Sequence, residues 1–253
     1  MRSNTWFLVR QLAWTDFKLR YNSLVLGYFW SLLHPLLMFG VFYLVFSVFV
    51  KIEGIPHYQL YLLIGIILWS YFAESTTNGM QAMQFKAGLI SKVYVPKGII
   101  LAASNITSLL TLSLNLCVFA VFFAASAAKL IDQAWLFLLS LLELVALSFA
   151  VSLLLSSYYL KFRDLSHLWT VALQVGFWLT PIIYPVGFIP GRLRWLFLWN
   201  PLARIIQDAR SALLGLEAPP MSHHLVSLAI VAAVLALGIA VFVRRSARFA
   251  EEI

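Results

Sequence analysis

The chain has 253 residues, of which 62% are hydrophobic and only 11% are charged, and its mean hydropathy is +0.89. Because a water-soluble domain carries about 25% charged residues, this composition excludes soluble enzymes, secreted domains and disordered chains. The net charge of +8 arises from lysines and arginines that are dispersed rather than clustered, which argues against nucleic acid as a partner. The class that remains is an integral membrane protein, in which the only cysteine, Cys117, packs as a small hydrophobic residue.

Six apolar runs are long enough to cross a bilayer, whose hydrocarbon layer of about 30 Å needs about 20 helical residues. None of the runs alternates with period two, so we predict an all-α membrane protein with six transmembrane helices rather than a barrel. The chain then forms a single transmembrane domain, 1–253, whose first span is retained rather than cleaved. Five spans lie within 28–186, and the full set is 28–50, 58–76, 99–127, 134–159, 168–186 and 225–243.

The basic residues are divided unevenly between the two sides of the membrane. Twelve of the eighteen lie before the first span, between the second and third, between the fourth and fifth, and after the sixth; six lie in the alternate segments. Lysine and arginine that flank a span are retained on the cytoplasmic side. We therefore expect both termini, the segment 1–27 and the tail 244–253, to be cytoplasmic.

The N-terminal segment 1–27 is predicted to be an amphipathic helix that lies in the cytoplasmic membrane interface. Its apolar residues recur at helical spacing, and basic and polar residues occupy the other side. The apolar positions are Trp6, Val9, Ala13 and Phe17.

The cytoplasmic loop 84–96 is too apolar to be a plain linker, because hydrophobic residues lie among its lysines. We expect such a loop to contact a protein partner, and the alternative is that it lies on the bilayer. The central residues of the loop are Leu89, Ile90, Lys92, Val93, Tyr94 and Val95.

The fifth span is interrupted by Thr180-Pro181 and ends at Tyr184-Pro185. A proline inside a span removes one backbone hydrogen bond and bends the helix. Broken helices of this kind often line transport paths, so we expect this span to contribute to one.

The long outer segment 187–224 is predicted to contain one or two short re-entrant helices. It includes Asn200-Pro201, which is typical of a helix start with proline at the first helical position. Tryptophan rings settle well at the membrane interface, so Trp195 and Trp199 either anchor the segment there or belong to an outer gate.

Glu143 lies close to the middle of the fourth span, where an ionisable side chain is costly unless it is paired, protonated or hydrated. It is therefore a candidate for the substrate path. The alternative is a protonated carboxyl that is hydrogen-bonded to a neighbouring helix, for example to a polar stripe on the third span. That stripe consists of Ser104, Ser108, Thr111 and Asn115.

One face of the first span is aromatic along its whole length. Aromatic faces stack on carbohydrate rings, but they also pack against lipid or a second subunit, and the sequence leaves both possibilities open. The residues of this face are Phe39, Phe42 or Tyr43, Phe46 and Phe49.

The sequence contains no motif of an enzyme. It has no Gly-rich phosphate loop followed by Lys-Ser or Lys-Thr, no His-Glu-x-x-His and no Gly-x-Ser-x-Gly. The histidines are dispersed, and the adjacent pair His223-His224 points two ways on a helix. We expect a protein without catalytic activity and without a bound metal ion.

Five blocks of sequence occur in order and together extend over nearly the whole chain. They are Asp16 to Leu36, Leu89 to Pro96, Phe162 to Leu165, Phe177 to Pro185, and Asn200 to Leu202. These blocks resemble the membrane subunits of type-2 ABC exporters of polysaccharides, which include O-antigen, capsule and teichoic acid permeases. The chain departs from the resemblance at His34, where many members carry asparagine, and at Ala102, where a second proline often follows the loop.

The resemblance implies a homodimer of six-helix subunits that enclose a path, together with two copies of a separate cytoplasmic ABC ATP-binding subunit. ATP and Mg²⁺ belong to that subunit, so this chain is expected to hold no cofactor itself. By the same resemblance, the loop 84–96 couples the chain to the ATPase. The outer gate would include Trp195, Trp199, Asn200 and Pro201.

The cargo implied by the resemblance is a polysaccharide of the O-antigen type on a polyprenyl pyrophosphate lipid, exported across the bacterial inner membrane. A doubly charged pyrophosphate cannot pass bare through hydrocarbon, so it needs a cationic entrance. An exporter of drugs or simple lipids on the same frame is the alternative. Candidates for the entrance are Lys18, Arg20 and Arg163, and candidates for the path are Tyr43, Trp178, Tyr184 and Glu143.

Overall fold

The computed structural model describes residues 5–22, 27–52, 54–90, 96–126, 134–193, 195, 199–216, 220–246 and 249. The regular structure within these residues is entirely helical, which confirms the predicted all-α class. The helices are α1 (Thr5–Asn22), α2 (Gly27–Tyr43), α3 (Tyr58–Phe85), α4 (Ala87–Ile90), α5 (Lys97–Ala125), α6 (Ala134–Tyr159), α7 (Leu165–Leu179), α8 (Pro201–Leu214) and α9 (Met221–Ser246). Helix α2 continues as π-helical turns over Leu44–Phe49, and 3-10 turns cover Val186–Phe188 and Gly191–Leu193.

Five stretches of helix in the described part of the chain are long and apolar enough to cross a membrane. They are Leu32–Phe49, Tyr58–Phe85, Lys97–Ala125, Trp135–Tyr159 and Met221–Ser246. They correspond to five of the six predicted spans. The chain is therefore a multi-pass membrane protein.

The predicted fifth span, 168–186, differs from the others. Helix α7 has 15 residues, which is about 22 Å at 1.5 Å per residue and shorter than the hydrocarbon layer. The helix ends at Leu179, and Thr180 is extended with φ −90° and ψ 128°. The interruption expected at Thr180-Pro181 is therefore present, because the proline ring cannot continue the helical hydrogen bonding.

Helix α3 is the centre of the bundle. Its residues 60–69 are all buried, and it packs against α2, α5 and α6. Helix α9 lies along α6 on the far side, and α8 packs mainly against α6. Every element described below for the candidate site therefore contacts α3 or α6.

Small residues allow these helices to approach closely. A Cβ atom added at Gly238 of α9 would lie 2.7 Å from the carbonyl oxygen of Ala150 in α6. One added at Gly79 of α3 would lie 2.5 Å from the Ser152 side chain. Because lipid supplies no hydrophobic drive for helix association, such close packing and the hydrogen bonds between helices stabilise the bundle.

Helix α1 packs along α5 through the apolar face that the sequence predicts. Val9 and Ala13 are buried, and the Thr107 hydroxyl donates a hydrogen bond to the Ala13 carbonyl at 3.3 Å. Trp14 of the same helix is exposed. The predicted helix is confirmed over Thr5–Asn22, while the side chains of Trp6 and Phe17 lie outside the described residues.

The C-terminal end of α9 is fastened to the start of α5. Phe249 is fully buried, and its ring lies 5.7 Å from that of Phe242. The ammonium group of Lys97 donates to the Ser246 carbonyl and lies 5.2 Å from the centre of the Phe249 ring. Since Lys97 directly follows the loop 84–96, Ser246 and Phe249 lie at the same end of the bundle as the start of α5.

Candidate substrate path and outer segment

Aromatic side chains of α2 and α7 form one cluster. The centre of the Phe42 ring lies 5.5 Å from that of Phe177 and 6.3 Å from that of Trp178. Tyr43 stacks on Phe39 with the ring centres 5.7 Å apart. Of the predicted path residues, Trp178 belongs to the cluster with Phe42 and Phe177, whereas the Tyr43 ring contacts Phe39.

Trp178 and Tyr184 lie at the two ends of the break after α7. The Tyr184 hydroxyl donates to the Trp178 carbonyl at 2.7 Å, so the two predicted path residues are joined directly. The Trp178 side chain is 56% exposed, which leaves its ring available to lipid, a second subunit or a passing substrate.

Thr180 to Ile183 of the irregular segment between these residues are buried, and side chains from α3 and α8 satisfy carbonyl groups of this segment. The Arg210 guanidinium donates to the carbonyls of Pro181 at 2.7 Å and Ile182 at 2.6 Å. The Tyr58 hydroxyl donates to Ile183 at 2.9 Å. Non-helical backbone is tolerated at membrane depth only where protein or water satisfies its polar groups, and here the protein does so.

Asn200 starts helix α8, as the sequence predicts, and also fixes its position. Its side-chain oxygen accepts hydrogen bonds from the backbone N–H groups of Leu202 at 3.1 Å and Ala203 at 3.3 Å. Pro201 occupies the first turn. The Asn200 amide donates to the Thr180 hydroxyl at 3.1 Å, so the cap of α8 is tied to the beginning of the break.

The tryptophans of the predicted gate are exposed. Trp195 is 57% exposed and Trp199 is 73% exposed. Both rings are therefore free to contact lipid headgroups, a second copy or substrate, and neither fills the interior of the chain.

Glu143 is buried, and its hydrogen-bond partner differs from the predicted stripe. The Ser227 hydroxyl of α9 donates to Glu143 Oε2 at 2.7 Å. Ser108 instead accepts from Asn78 of α3, and the Asn115 amide bonds back to its own helix. The carboxyl is thus hydrogen-bonded to a neighbouring helix, as the alternative expected, but that helix is α9 and not the third span, because α6 turns this side chain toward α9.

A second acidic residue, Asp208, lies buried between α8 and α9. Its Oδ2 is 3.0 Å from His224 Nδ1, and its Oδ1 is 3.6 Å from His223 Nε2. Burial raises the pKa of Asp208 from 3.8 to about 6; His224 opposes this shift and Glu143 adds to it. The two histidines, which were expected to point apart, both reach this carboxylate because α8 crosses beside the first turn of α9.

The structure describes the predicted entrance and coupling residues only in part. Lys18 and Arg163 are exposed, as cations that meet a charged headgroup would be. The side chains of Arg20, Leu89 and Ile90, and all of 91–95 with Lys92, Val93, Tyr94 and Val95, lie outside the described residues. Their assignments stay predictions.

Sequence reasoning missed the buried charges of α8. Arg210 was counted only among the basic residues of the alternate segments, and neither Asp208 nor the hydroxyls of Tyr58 and Tyr61 were singled out. One signal was available: a 14-residue stretch with an Asn-Pro start and charges inside it is too short to span and too apolar to be solvated. In the part of the chain that the structure covers, no group of three or more His, Cys, Asp or Glu is arranged to hold a metal ion.

These features define a polytopic helical membrane protein with a broken helix beside an aromatic cluster. The family model of the ABC-2 type transporter matches residues 8–214, and the chain therefore belongs to that family. It is a transport component of the membrane, and membership implies association with an ATP-binding subunit.

Individual relatives cover almost the whole chain. An O-antigen export system permease protein RfbA of Klebsiella pneumoniae is 29% identical over 239 residues, which are 93% of this chain and 91% of the relative. The protein of the same name from Myxococcus xanthus is 28% identical over 249 residues, 97% and 95% of the two chains. The polysialic acid transport protein KpsM of Escherichia coli is 22% identical over 212 residues, 81% of each chain.

Proposed function

We propose that this chain is the permease subunit of an ATP-driven exporter that carries a polysaccharide of the O-antigen type across the bacterial inner membrane. The observation that carries the proposal is the end-to-end similarity to export permeases for O-antigen, which extends over more than nine-tenths of both chains. Such similarity includes the loop, the break and the outer segment together. It thus supports a shared task rather than a shared span pattern alone.

The chain acts as a homodimer with two copies of a cytoplasmic ATP-binding subunit. The broken helix α7 exposes a continuous apolar surface that includes Leu168, Val171, Val175 and Trp178. A surface of this kind suits either lipid or a second copy across a central path. ATP and Mg²⁺ bind to the partner, and the loop 84–96 receives the motion of the partner.

The cargo is a glycan on polyprenyl pyrophosphate, and its head group enters at the cytoplasmic side. Lys18, Arg20 and Arg163 supply the positive charge there, since two phosphates cannot enter hydrocarbon without counter-charges. The exposure of Lys18 and Arg163 fits this role. With the basic loops on the same side, both termini are cytoplasmic and the segment 187–224 faces outward.

Beyond the entrance, the glycan moves along aromatic side chains. Sugar rings stack on aromatic faces through weak contacts, and weak repeated contacts suit a polymer that has to keep moving. We expect Tyr43, Trp178 and Tyr184 to lie along this route, and the contact of Trp178 with Phe42 and Phe177 supports this. Glu143 is hydrogen-bonded to Ser227, and its part in the path is to keep α6 and α9 aligned beside it.

The test is reconstitution of the chain with its ATP-binding subunit in vesicles, with ATP hydrolysis and glycan transfer as readouts. We expect lipid-linked glycan to stimulate ATP hydrolysis and to reach the opposite leaflet. Stimulation by hydrophobic drugs or simple lipids, with no response to lipid-linked glycan, would support the alternative exporter instead. The control is the same complex with an ATPase that is unable to hydrolyse ATP.

The entrance is tested by Arg20→Ala, with Lys161→Ala as a matched control because Lys161 is an exposed cation outside the proposed entrance. We expect Arg20→Ala to lower export and glycan-stimulated ATP hydrolysis about tenfold, the effect of about 1.4 kcal/mol, with assembly intact. Export equal to that of the control variant would remove Arg20 from the entrance.

A further inference from the structure

Arg210 is a fully buried cation in α8, and the groups around it are specific. The side chain has 0% exposure, and its Nε donates to the Tyr61 carbonyl of α3 at 3.0 Å. The guanidinium carbon lies 3.6 Å from the centre of the Tyr61 ring. A guanidinium stays charged in proteins, and burying that charge is costly unless hydrogen bonds satisfy it. Its three carbonyl partners and the ring supply this compensation.

Helix α3 leaves room for this group at Gly65. A Cβ atom added at that position would lie 2.1 Å from Arg210 Nη2 and 3.0 Å from the guanidinium carbon. Both distances are too short for atoms that are not bonded, so any larger residue at position 65 would displace the guanidinium. The Arg210 guanidinium therefore occupies the space that is left by the absence of a side chain at Gly65.

The guanidinium belongs to a set of donors that grips the whole break after α7. Four consecutive carbonyls accept hydrogen bonds from side chains: Pro181 and Ile182 from Arg210, Ile183 from Tyr58, and Tyr184 from Tyr61 at 3.4 Å. The donors come from α3 and α8, two helices that are separate in sequence. The conformation of the break is thus set by tertiary contacts and not by Pro181 alone.

We propose that Arg210 is a positioning residue for transport: it holds the break so that Trp178 and Tyr184 face the glycan at the outer end of the path. Trp178 precedes the gripped carbonyls by three residues, and Tyr184 is the last of them. Loss of the grip leaves these rings in several orientations, and stacking on each passing sugar becomes weaker. This inference rests on the proposed function for the glycan, but the positioning itself does not.

The test uses Arg210→Met, Arg210→Lys and Gly65→Ala in the full complex with the ATP-binding subunit. Arg192→Met is the matched control, because Arg192 is an exposed arginine of the same outer segment. The first readout is the ¹⁹F spectrum of fluorotyrosine placed at position 184. We expect one sharp resonance in the wild type and in Arg192→Met, and a shifted or split resonance in Arg210→Met and Gly65→Ala. An unchanged resonance in both variants would overturn the positioning role.

The second readout is export of glycan, measured at equal amounts of assembled complex. We expect at least a tenfold loss for Arg210→Met and a smaller loss for Arg210→Lys, which keeps the charge but not the fork of donors. Gly65→Ala should reduce export when arginine is present at position 210 and add no further loss to Arg210→Met. Independent, additive losses would overturn the proposed contact.

The two readouts separate the positioning role from the proposed cargo. A changed resonance in the variants, together with wild-type vesicles that do not transport glycan, would contradict the proposed function while supporting the positioning of Tyr184. A changed resonance with wild-type glycan export would overturn the link between the grip and transport. Where Arg210→Met does not assemble, Gly65→Ala and Arg210→Lys carry the same comparison.

Discussion

At the scale of single residues, the decisive groups are polar side chains buried in an apolar chain. Arg210, Asp208 and Glu143 each have a partner on another helix. Buried polar groups contribute modestly when they are paired and cost several times more when one partner is removed. Substitutions at these positions should therefore lower the stability of the protein more than substitutions at exposed charges such as Arg163.

The pH dependence of stability tests the environment of Asp208. The groups that face it are His223 and His224 from α9, Glu143 from α6 and Arg204 from its own helix. Because the pKa of Asp208 is raised from 3.8 to about 6, the folded state binds a proton that the unfolded chain has released. The contribution of this group to stability is therefore lost as the pH rises from about 4 to about 6.

We expect the melting temperature of Asp208→Asn, measured in detergent, to increase relative to that of the wild type as the pH rises across that range. The increase should be equivalent to about 3 kcal/mol at most. The difference between the two proteins should be small at pH 4 and constant above pH 7. A difference that shrinks as the pH rises would contradict this assignment.

Asn200 combines a helix cap with a contact to the break, and two substitutions separate the two roles. Asn200→Asp keeps an acceptor for the N–H groups of Leu202 and Ala203 but loses the amide that donates to Thr180. Asn200→Ala loses both, including a cap that contributes about 1 kcal/mol. We expect the melting temperature to be highest for the wild type, lower for Asn200→Asp and lowest for Asn200→Ala. Ser222→Ala, at an exposed position near the start of α9, is the control; equal stability of all the variants would rule out the cap.

At the scale of elements, the bundle depends on close contact between long helices and on α7, which ends at Leu179 and is too short to span the membrane. The break after α7 lets the chain turn back toward α8, and Arg210 of α8 in turn holds the break in place through hydrogen bonds. Helices α6 and α9 run side by side because Gly238 has no side chain to separate them. Their contact also carries the Glu143–Ser227 hydrogen bond.

The α6–α9 contact predicts different effects for two glycines. Gly238→Ala places a Cβ 2.7 Å from the Ala150 carbonyl, whereas nothing lies within 4 Å of a Cβ at Gly40. Alanine favours helix by about 1 kcal/mol at both positions, and overpacking at Gly238 costs about 1–3 kcal/mol. We expect a lower melting temperature for Gly238→Ala and an unchanged or higher one for Gly40→Ala. Equal shifts would show that α6 and α9 are not in close contact.

At the scale of the whole molecule, the two regions for which we propose a function lie at different ends of the bundle. At one end, the tail of α9 and the start of α5 meet beside the loop 84–96. At the other end, α8 grips the break beside the aromatic cluster. The loop follows α3 and precedes α5, so these two helices are attached to it directly, and α9 is joined to this end through its contact with Lys97.

A charged substitution in the loop tests the contact with the partner. Tyr94→Asp should reduce co-purification of the ATP-binding subunit at least tenfold, because an apolar contact does not accept an unpaired charge. Phe162→Asp is the matched control, since Phe162 is an exposed aromatic residue of another loop between helices. Normal co-purification and export by Tyr94→Asp would place the contact elsewhere.

The sequence by itself determined the membrane class, five of the six predicted spans, the interruption at Thr180-Pro181 and the start of α8 at Asn200. Each of these depends on local physics: backbone in lipid has to satisfy its hydrogen bonds within one span, proline cannot donate one, and a cap acts within three residues. Only the tertiary structure decided that Glu143 meets Ser227, that both histidines reach Asp208 and that Arg210 grips the break. Those pairings join residues far apart in the chain, and hydropathy does not encode which helix lies opposite a buried charge.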